Sequence, residues 1–206
     1  MKMVRLWNRY FSKLICGTNA FYGLSHFSNA RNIEYKNRFT DCYIEKIIRY
    51  CISNGINTIE SSANERIYKI ISKIRNDGLD INFVGSTRID DTSEIKSYQM
   101  KLDFLIEKKA DVCIIHSQFV DEPRTGNEIK GLKSLVDKIH EVGLVAGIST
   151  HMVSTVEICE QKNYGIDVYL FPLNEMNFVY PGYKGNETLQ DRVAIVKGIA
   201  KPFILM

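Results

Sequence analysis

Short apolar runs recur along this chain, separated by segments whose apolar residues fall at helical spacing. The central run is Ala110-Asp111-Val112-Cys113-Ile114-Ile115-His116-Ser117. A continuous apolar stretch of this kind reads as a strand buried on both faces, as in a parallel sheet wrapped by helices. Six more runs share the pattern, at 14–17, 56–60, 81–86, 144–149, 166–171 and 201–206. Between them lie helical stripes. Ile44, Ile47, Ile48 and Cys51 form one, begun by Thr40 or Asp41; Ile67, Ile70, Ile71 and Ile74 form another, begun by Asn64. Ile95, Leu102, Leu105 and Ile106 follow Asp91-Thr92-Ser93, and Ile129, Leu132, Leu135, Val136 and Ile139 follow Asn127. Ser154 opens a short helix and Asn186 a last one carrying Val193, Ile195, Val196 and Ile199. Ahead of all these, residues 6–13 carry Trp7, Tyr10 and Phe11 in a small hairpin, and 18–40 reads as a polar loop.

Strand–helix alternation with short connections implies right-handed crossovers and a parallel sheet. The first βα connection holds no G-x-G-x-x-G or phosphate-binding loop, which argues against a doubly wound nucleotide fold. Polar residues end nearly every strand: Asn19, Glu60, Arg88, His116, His151 and Asn174. The mouth of a barrel fed by all its strands has this form. The expected architecture is an α/β (β/α)8 TIM barrel in one domain, 1–206, lacking its eighth βα unit at the C-terminus. Without that unit the first and seventh strands keep unpaired edges.

Composition narrows the picture without redirecting it. At 206 residues, with 45% hydrophobic and 25% charged, the chain suits one substantial globular core. A net charge of +3, with no basic run interleaved with aromatics, excludes an obvious nucleic-acid partner. No apolar stretch reaches the ~18 residues of a membrane span, and the N-terminus lacks the apolar middle of a signal peptide. The 5 cysteines, odd in number and isolated, read as reduced core residues of a cytoplasmic protein.

Candidate chemistry sits at the strand ends. Of the four histidines, His140 in Lys138-Ile139-His140-Glu141 reads as a solvated helix residue. His26, His116 and His151 follow strands, where a barrel would make them converge with Glu60 and Arg88. Glu60 and Arg88 have two readings. One is an ion pair that serves packing; the other is an acid–base carboxyl tuned by a cation.

The chain also resembles the aldo-keto reductases. Arg5-Leu6-Trp7 and Ser12-Lys13-Leu14-Ile15-Cys16-Gly17-Thr18 are similar to that family's hairpin and first strand. Gly55-Ile56-Asn57-Thr58-Ile59-Glu60-Ser61 resembles its second-strand motif, and Asn64-Glu65 the following helix start. Asp111-Val112-Cys113-Ile114-Ile115-His116-Ser117 and Gly147-Ile148-Ser149 resemble its fourth and fifth strands. The resemblance implies a barrel of aldo-keto reductase type, NADP(H)-dependent and reducing a carbonyl substrate with an Asp, Tyr, Lys and His tetrad. Only His116 keeps its identity; Glu60 stands at the Asp position and Arg88 at the Lys position. The Tyr has no counterpart in Ser61-Ser62-Ala63, although Tyr22, Tyr180 or Tyr183 offers a substitute. The implied catalytic residues are Glu60, Arg88 and His116. The implied substrate contacts are Asn19, His26, His151, Asn174 and Tyr180, with the nicotinamide at Ser149 and Asn174. The segment that would bind the cofactor phosphate, after strands seven and eight, is missing from the sequence.

Two other functions fit the same residues. In one, a nicotinamide-independent lyase, isomerase or hydrolase acts on a sugar or hydroxy-carbonyl substrate. It uses acid–base groups, or a metal held by His26, His116 and His151 with Glu60 or Glu175; no H-x-x-H or H-E-x-x-H spacing supports that metal. In the other, a non-catalytic barrel binds a metabolite or a partner at the lip Phe178-Val179-Tyr180-Pro181-Gly182-Tyr183.

Overall fold

The computed structural model describes residues 1–25, 27–89, 97–122, 127–173 and 187–206. It divides into two units, Met1–Asp111 and Val112–Met206. Parallel strands alternating with helices build both.

The first unit opens with an antiparallel hairpin, β1 (Met3–Leu6) and β2 (Arg9–Ser12), with Met3 opposite Ser12. Three parallel strands follow in chain order: β3 (Cys16–Gly17), β4 (Thr58–Ser62) and β5 (Asn82–Ser86). Gly17 pairs with Glu60, and Ser62 with Ser86. Because the strands are parallel, their carboxyl ends share one rim.

Polar side chains tie the hairpin to the opposite, amino ends. Asn57 Nδ2 and Asn82 Nδ2 donate to Tyr10 O at 3.0 and 2.8 Å. Arg9 and Arg75 reach the two oxygens of Asp111 at 2.9 and 2.8 Å, and Phe83 N donates to Asp111 Oδ2 at 2.7 Å. This use of Asn57 explains a shift from expectation. The second strand begins at Thr58 and runs through Ser62, so Glu60 lies in its middle and not at its tip.

The helices of this unit are α1 (Asn29–Arg38), α2 (Asp41–Ser53), α3 (Glu65–Asn76) and α4 (Tyr98–Glu107). Thr40 caps α2 and Asn64 caps α3, as their sequences predict. Ile67, Ile70, Ile71 and Ile74 are buried along α3. The expected loop at 18–40 instead holds a 3-10 turn (Asn19–Tyr22) and α1. α1 buries no side chain, so it leaves no apolar stripe to read. Its start is set by local bonds: Ser28 Oγ accepts from Arg31 N, and Asn32 Oδ1 from Ser25 N. The residues expected to open α4, Asp91-Thr92-Ser93, lie outside the described ones.

The second unit has four parallel strands in chain order: β6 (Val112–Ile115), β7 (Val145–Ser149), β8 (Val168–Phe171) and β9 (Phe203–Leu205). Its helices are α5 (Ser117–Val120), α6 (Leu132–Glu141), α7 (Val153–Lys162) and α8 (Leu189–Gly198). Gly147 lets β7 sit close to its neighbours, since a Cβ there would lie 2.5 Å from Ile114 Cδ1 and 2.8 Å from Val168 O.

Three helix starts differ from the sequence reading. α6 begins after Gly131, whose φ of +79° suits glycine. α7 is capped from a distance, Val153 N donating to Glu187 Oε1 at 2.9 Å, where a Ser154 cap was expected. α8 begins at a Thr188–Asp191 capping box, not at Asn186.

Among the cysteines, Cys113 and Cys159 are buried as expected of core residues, but Cys42 on α2 is exposed. Among the described residues no helix is long and apolar enough to cross a membrane.

Candidate functional site

In the first unit the rim groups gather around Glu60. Its carboxyl is half-buried in the middle of β4. Burial strips water from the charged form and raises its pKa from 4.5 to about 7. The Arg88 charge and a hydrogen bond with the Ser86 side chain pull the other way without cancelling that rise. Arg88 acts on Glu60 through its charge, while its Nη1 donates to Asn19 Oδ1 at 3.1 Å. Asn19, Glu60 and Arg88 are therefore one connected set, although Glu60 lies inside β4 and not after it. The arrangement fits the tuned-carboxyl reading better than the packing ion pair. Glu60 is poised near neutrality, and Arg88 is a fixed cation that cannot lose its proton.

Four neighbours have roles that the sequence does not announce. Ser61 Oγ and the buried Tyr22 hydroxyl are hydrogen bonded at 2.6 Å, so Tyr22 is engaged within the fold. Lys101 on α4 is fully buried, and its Nζ donates to Ala63 O at 2.7 Å just beyond β4. Its one sequence signal is its place on the apolar face of α4, four residues before Leu105. Cys16 on β3 has its thiol pushed up to about 12 by burial, with Cys51 and Glu60 adding to the effect. It is a protonated thiol at neutral pH, not a nucleophile.

In the second unit the carboxyl ends of β6 and β7 carry His116, Ser149 and His151. His116 caps the four-residue α5, with Gln118 N donating to its Nδ1 at 3.3 Å. Ser149 Oγ accepts from Ser117 N at 2.9 Å, linking the ends of β6 and β7. Asp121, at the end of α5, collects four contacts. Thr150 Oγ1 and Thr155 Oγ1 (3.1 Å) reach its Oδ1, and His151 N (2.9 Å) and His151 Nδ1 (3.3 Å) reach its Oδ2. Nothing in the sequence marks Asp121, since an aspartate in a polar connection is the ordinary composition of such a segment. His140 is exposed on α6 and pairs with Asp167 at 2.8 Å, in keeping with its reading as a helix-surface histidine.

His26, Asn174, Tyr180, Tyr183, Glu175 and the expected lip at 178–183 lie outside the described residues. Among the described residues no group of three His, Cys, Asp or Glu side chains is placed to hold a metal ion.

No protein-family model matches the chain, and no curated protein does. Solved structures do match. An N-acetylmannosamine-6-phosphate 2-epimerase from Clostridium perfringens is similar over 81% of this chain and 69% of its own, with a TM-score of 0.56 and 16% identity. An oxaloacetate acetylhydrolase is similar over 76% of this chain and 61% of its own, with a TM-score of 0.50 and 11% identity. These likenesses show the fold, an α/β fold of TIM-barrel-like kind.

They overturn the aldo-keto reductase expectation and the labels oxidoreductase and NADP that came with it. The neighbours are named for an epimerisation and a hydrolysis, and they match the nicotinamide-independent alternative better than the reductase reading. The chemistry agrees. Arginine replaces the lysine that would lower a tyrosine's pKa, the tyrosine itself is missing from Ser61-Ser62-Ala63, and Tyr22 is bonded to Ser61. Of the motifs that carried the resemblance, Gly147-Ile148-Ser149 answers to packing here, since a Cβ at Gly147 would lie 2.5 Å from Ile114 Cδ1.

Proposed function

We propose that this chain is an acid–base enzyme that works without a nicotinamide. Its substrate would be a small sugar or hydroxy-carbonyl compound, and its reaction a proton transfer at carbon next to a carbonyl, as in an isomerase, epimerase or lyase. The observation that carries the reading is Glu60, a carboxyl raised to about 7 beside a fixed guanidinium. A general base is most useful when its pKa lies near the working pH. Glu60 takes the proton, and Arg88, held by Asn19, stabilises the enolate charge that develops.

Deuterium exchange tests this. The protein is incubated in D2O with glyceraldehyde, dihydroxyacetone, hydroxypyruvate, N-acetylmannosamine 6-phosphate and oxaloacetate, and loss of each C–H signal is followed by proton NMR. Exchange of at least one substrate is expected, with a rate that rises with pH through an inflection near 7 as Glu60 ionises. Glu60→Gln should slow it by about 10²-fold or more. Wild-type protein that exchanges none of the panel would count against the proposal.

A further inference from the structure

Gly17 on β3 has neither of the usual reasons to be glycine. Its φ is not positive, and a Cβ built on it would meet no described atom within 4 Å. Gly147 differs, because a Cβ there would press on the neighbouring strands. What the missing side chain at Gly17 does is leave space, and the strand register says beside what. Gly17 pairs with Glu60 across β3 and β4, and residues paired in this way point to one face of the sheet. The other neighbours of Glu60 on that face are Thr58 and Ser62 along β4 and Val84 opposite it on β5, with Asn82 and Ser86 diagonal to it. All five are buried, whereas Gly17 is exposed. In the plane of that face, among the described residues, the half-buried Glu60 is bounded on three sides and open on the fourth, over Gly17.

We infer that Gly17 is the opening through which a substrate reaches Glu60, and that it determines specificity by admitting the group attached to the carbon that gives up its proton. The inference rests on the acid–base reading above and lies wholly within the first unit. A bare Cα where a side chain could stand suits a substrate whose reacting carbon carries a further carbon group, such as the chain of a sugar. Gly17 itself takes no part in the proton transfer.

The same opening admits water to Glu60, and this supplies a test that needs no turnover. In Gly17→Val the two methyl groups fill the space, shield the carboxyl from solvent and disfavour its charged form. The full chain is labelled with 13C-glutamate, and Glu60 is assigned by the signal lost in Glu60→Gln. Its titration midpoint should rise by about half a pH unit or more in Gly17→Val, and by less in Gly17→Ala. Arg88 and Cys16, titratable groups that interact with Glu60, are the same in both variants. Both variants should melt near wild type, since no described atom has to move. On the substrate that wild-type protein exchanges, Gly17→Val should raise KM by about 10-fold or more, with Gly17→Ala between the two.

An unchanged Glu60 midpoint in folded Gly17→Val protein would overturn the inference, and so would an unchanged KM. Should the valine lower the melting temperature, Gly17→Ala decides by the same two measurements. The midpoint also separates this inference from the reading beneath it. Wild-type protein that exchanges none of the panel ends the acid–base reading, and with it the specificity role of Gly17, while a midpoint raised in Gly17→Val still upholds the opening.

Discussion

Single residues in this chain are decided by what surrounds them more than by what they are. Glu60 and Lys101 both occupy places where burial disfavours charge. Glu60 answers by a raised pKa, and Lys101 by donating to Ala63 O. Ser117 has no such answer. It is 1% exposed, its backbone N–H is bonded to Ser149, and its hydroxyl has no hydrogen-bond partner among the described residues. A buried hydroxyl without a partner costs stability, so Ser117→Ala should raise the unfolding free energy by about 1 kcal/mol in urea titrations. A loss of stability instead would mean that the hydroxyl is satisfied in solution. At this scale Glu60 and Arg88 are legible as charged residues that close apolar runs, although the structure places Glu60 inside β4. Asp121, Ser117 and Lys101 were not, because their importance lies in partners 29 to 38 residues away in sequence.

Among the elements, legibility followed burial. α3 announces itself through Ile67, Ile70, Ile71 and Ile74, all buried on one face. α1 buries nothing, so its sequence reads as a loop; local caps and not an apolar stripe hold it. α5 is four residues long, too short for any period to show.

Close packing between elements is equally hard to see from the chain. Gly85 on β5 lies under α4, and a Cβ there would stand 2.2 Å from Leu105 Cδ2. Gly85→Ala should therefore cost about 1–3 kcal/mol by overpacking. In a Leu105→Ala background the same change should cost far less, and a double-mutant cycle measures the difference as a coupling. Additive effects would show that the clash is not what Gly85 avoids.

For the molecule as a whole, the raised Glu60 pKa makes stability depend on pH in a definite direction. The folded state holds the Glu60 proton up to about 7, whereas the unfolded chain releases it near 4.5. Between these values the native state binds more protons, so this group's contribution falls as pH rises through the window and is level above it. Glu60→Gln removes that dependence. Thermal melts of the two proteins across the window should show the variant gaining stability over wild type as pH rises, with the gap constant above about 7. Parallel curves would mean that the Glu60 pKa is close to ordinary.

The amino-acid sequence by itself determined the alternation of apolar strands with helices and the parallel sense of the strands. These properties rest on periodicity and on the few chain paths that bury such faces, and they are local. The tertiary structure decided that β4 extends to Ser62, which places Glu60 inside the strand, and that Arg88 turns to Asn19. It also decided that Asp121 gathers His151 with two threonines. Each of these depends on a hydrogen bond or a degree of burial between residues far apart in the chain, and no period along the sequence carries that information. The family resemblance rested on short local motifs, of which Gly147-Ile148-Ser149 answers to close packing of β7, whereas the chemistry lies in the side-chain partners that only folding brings together.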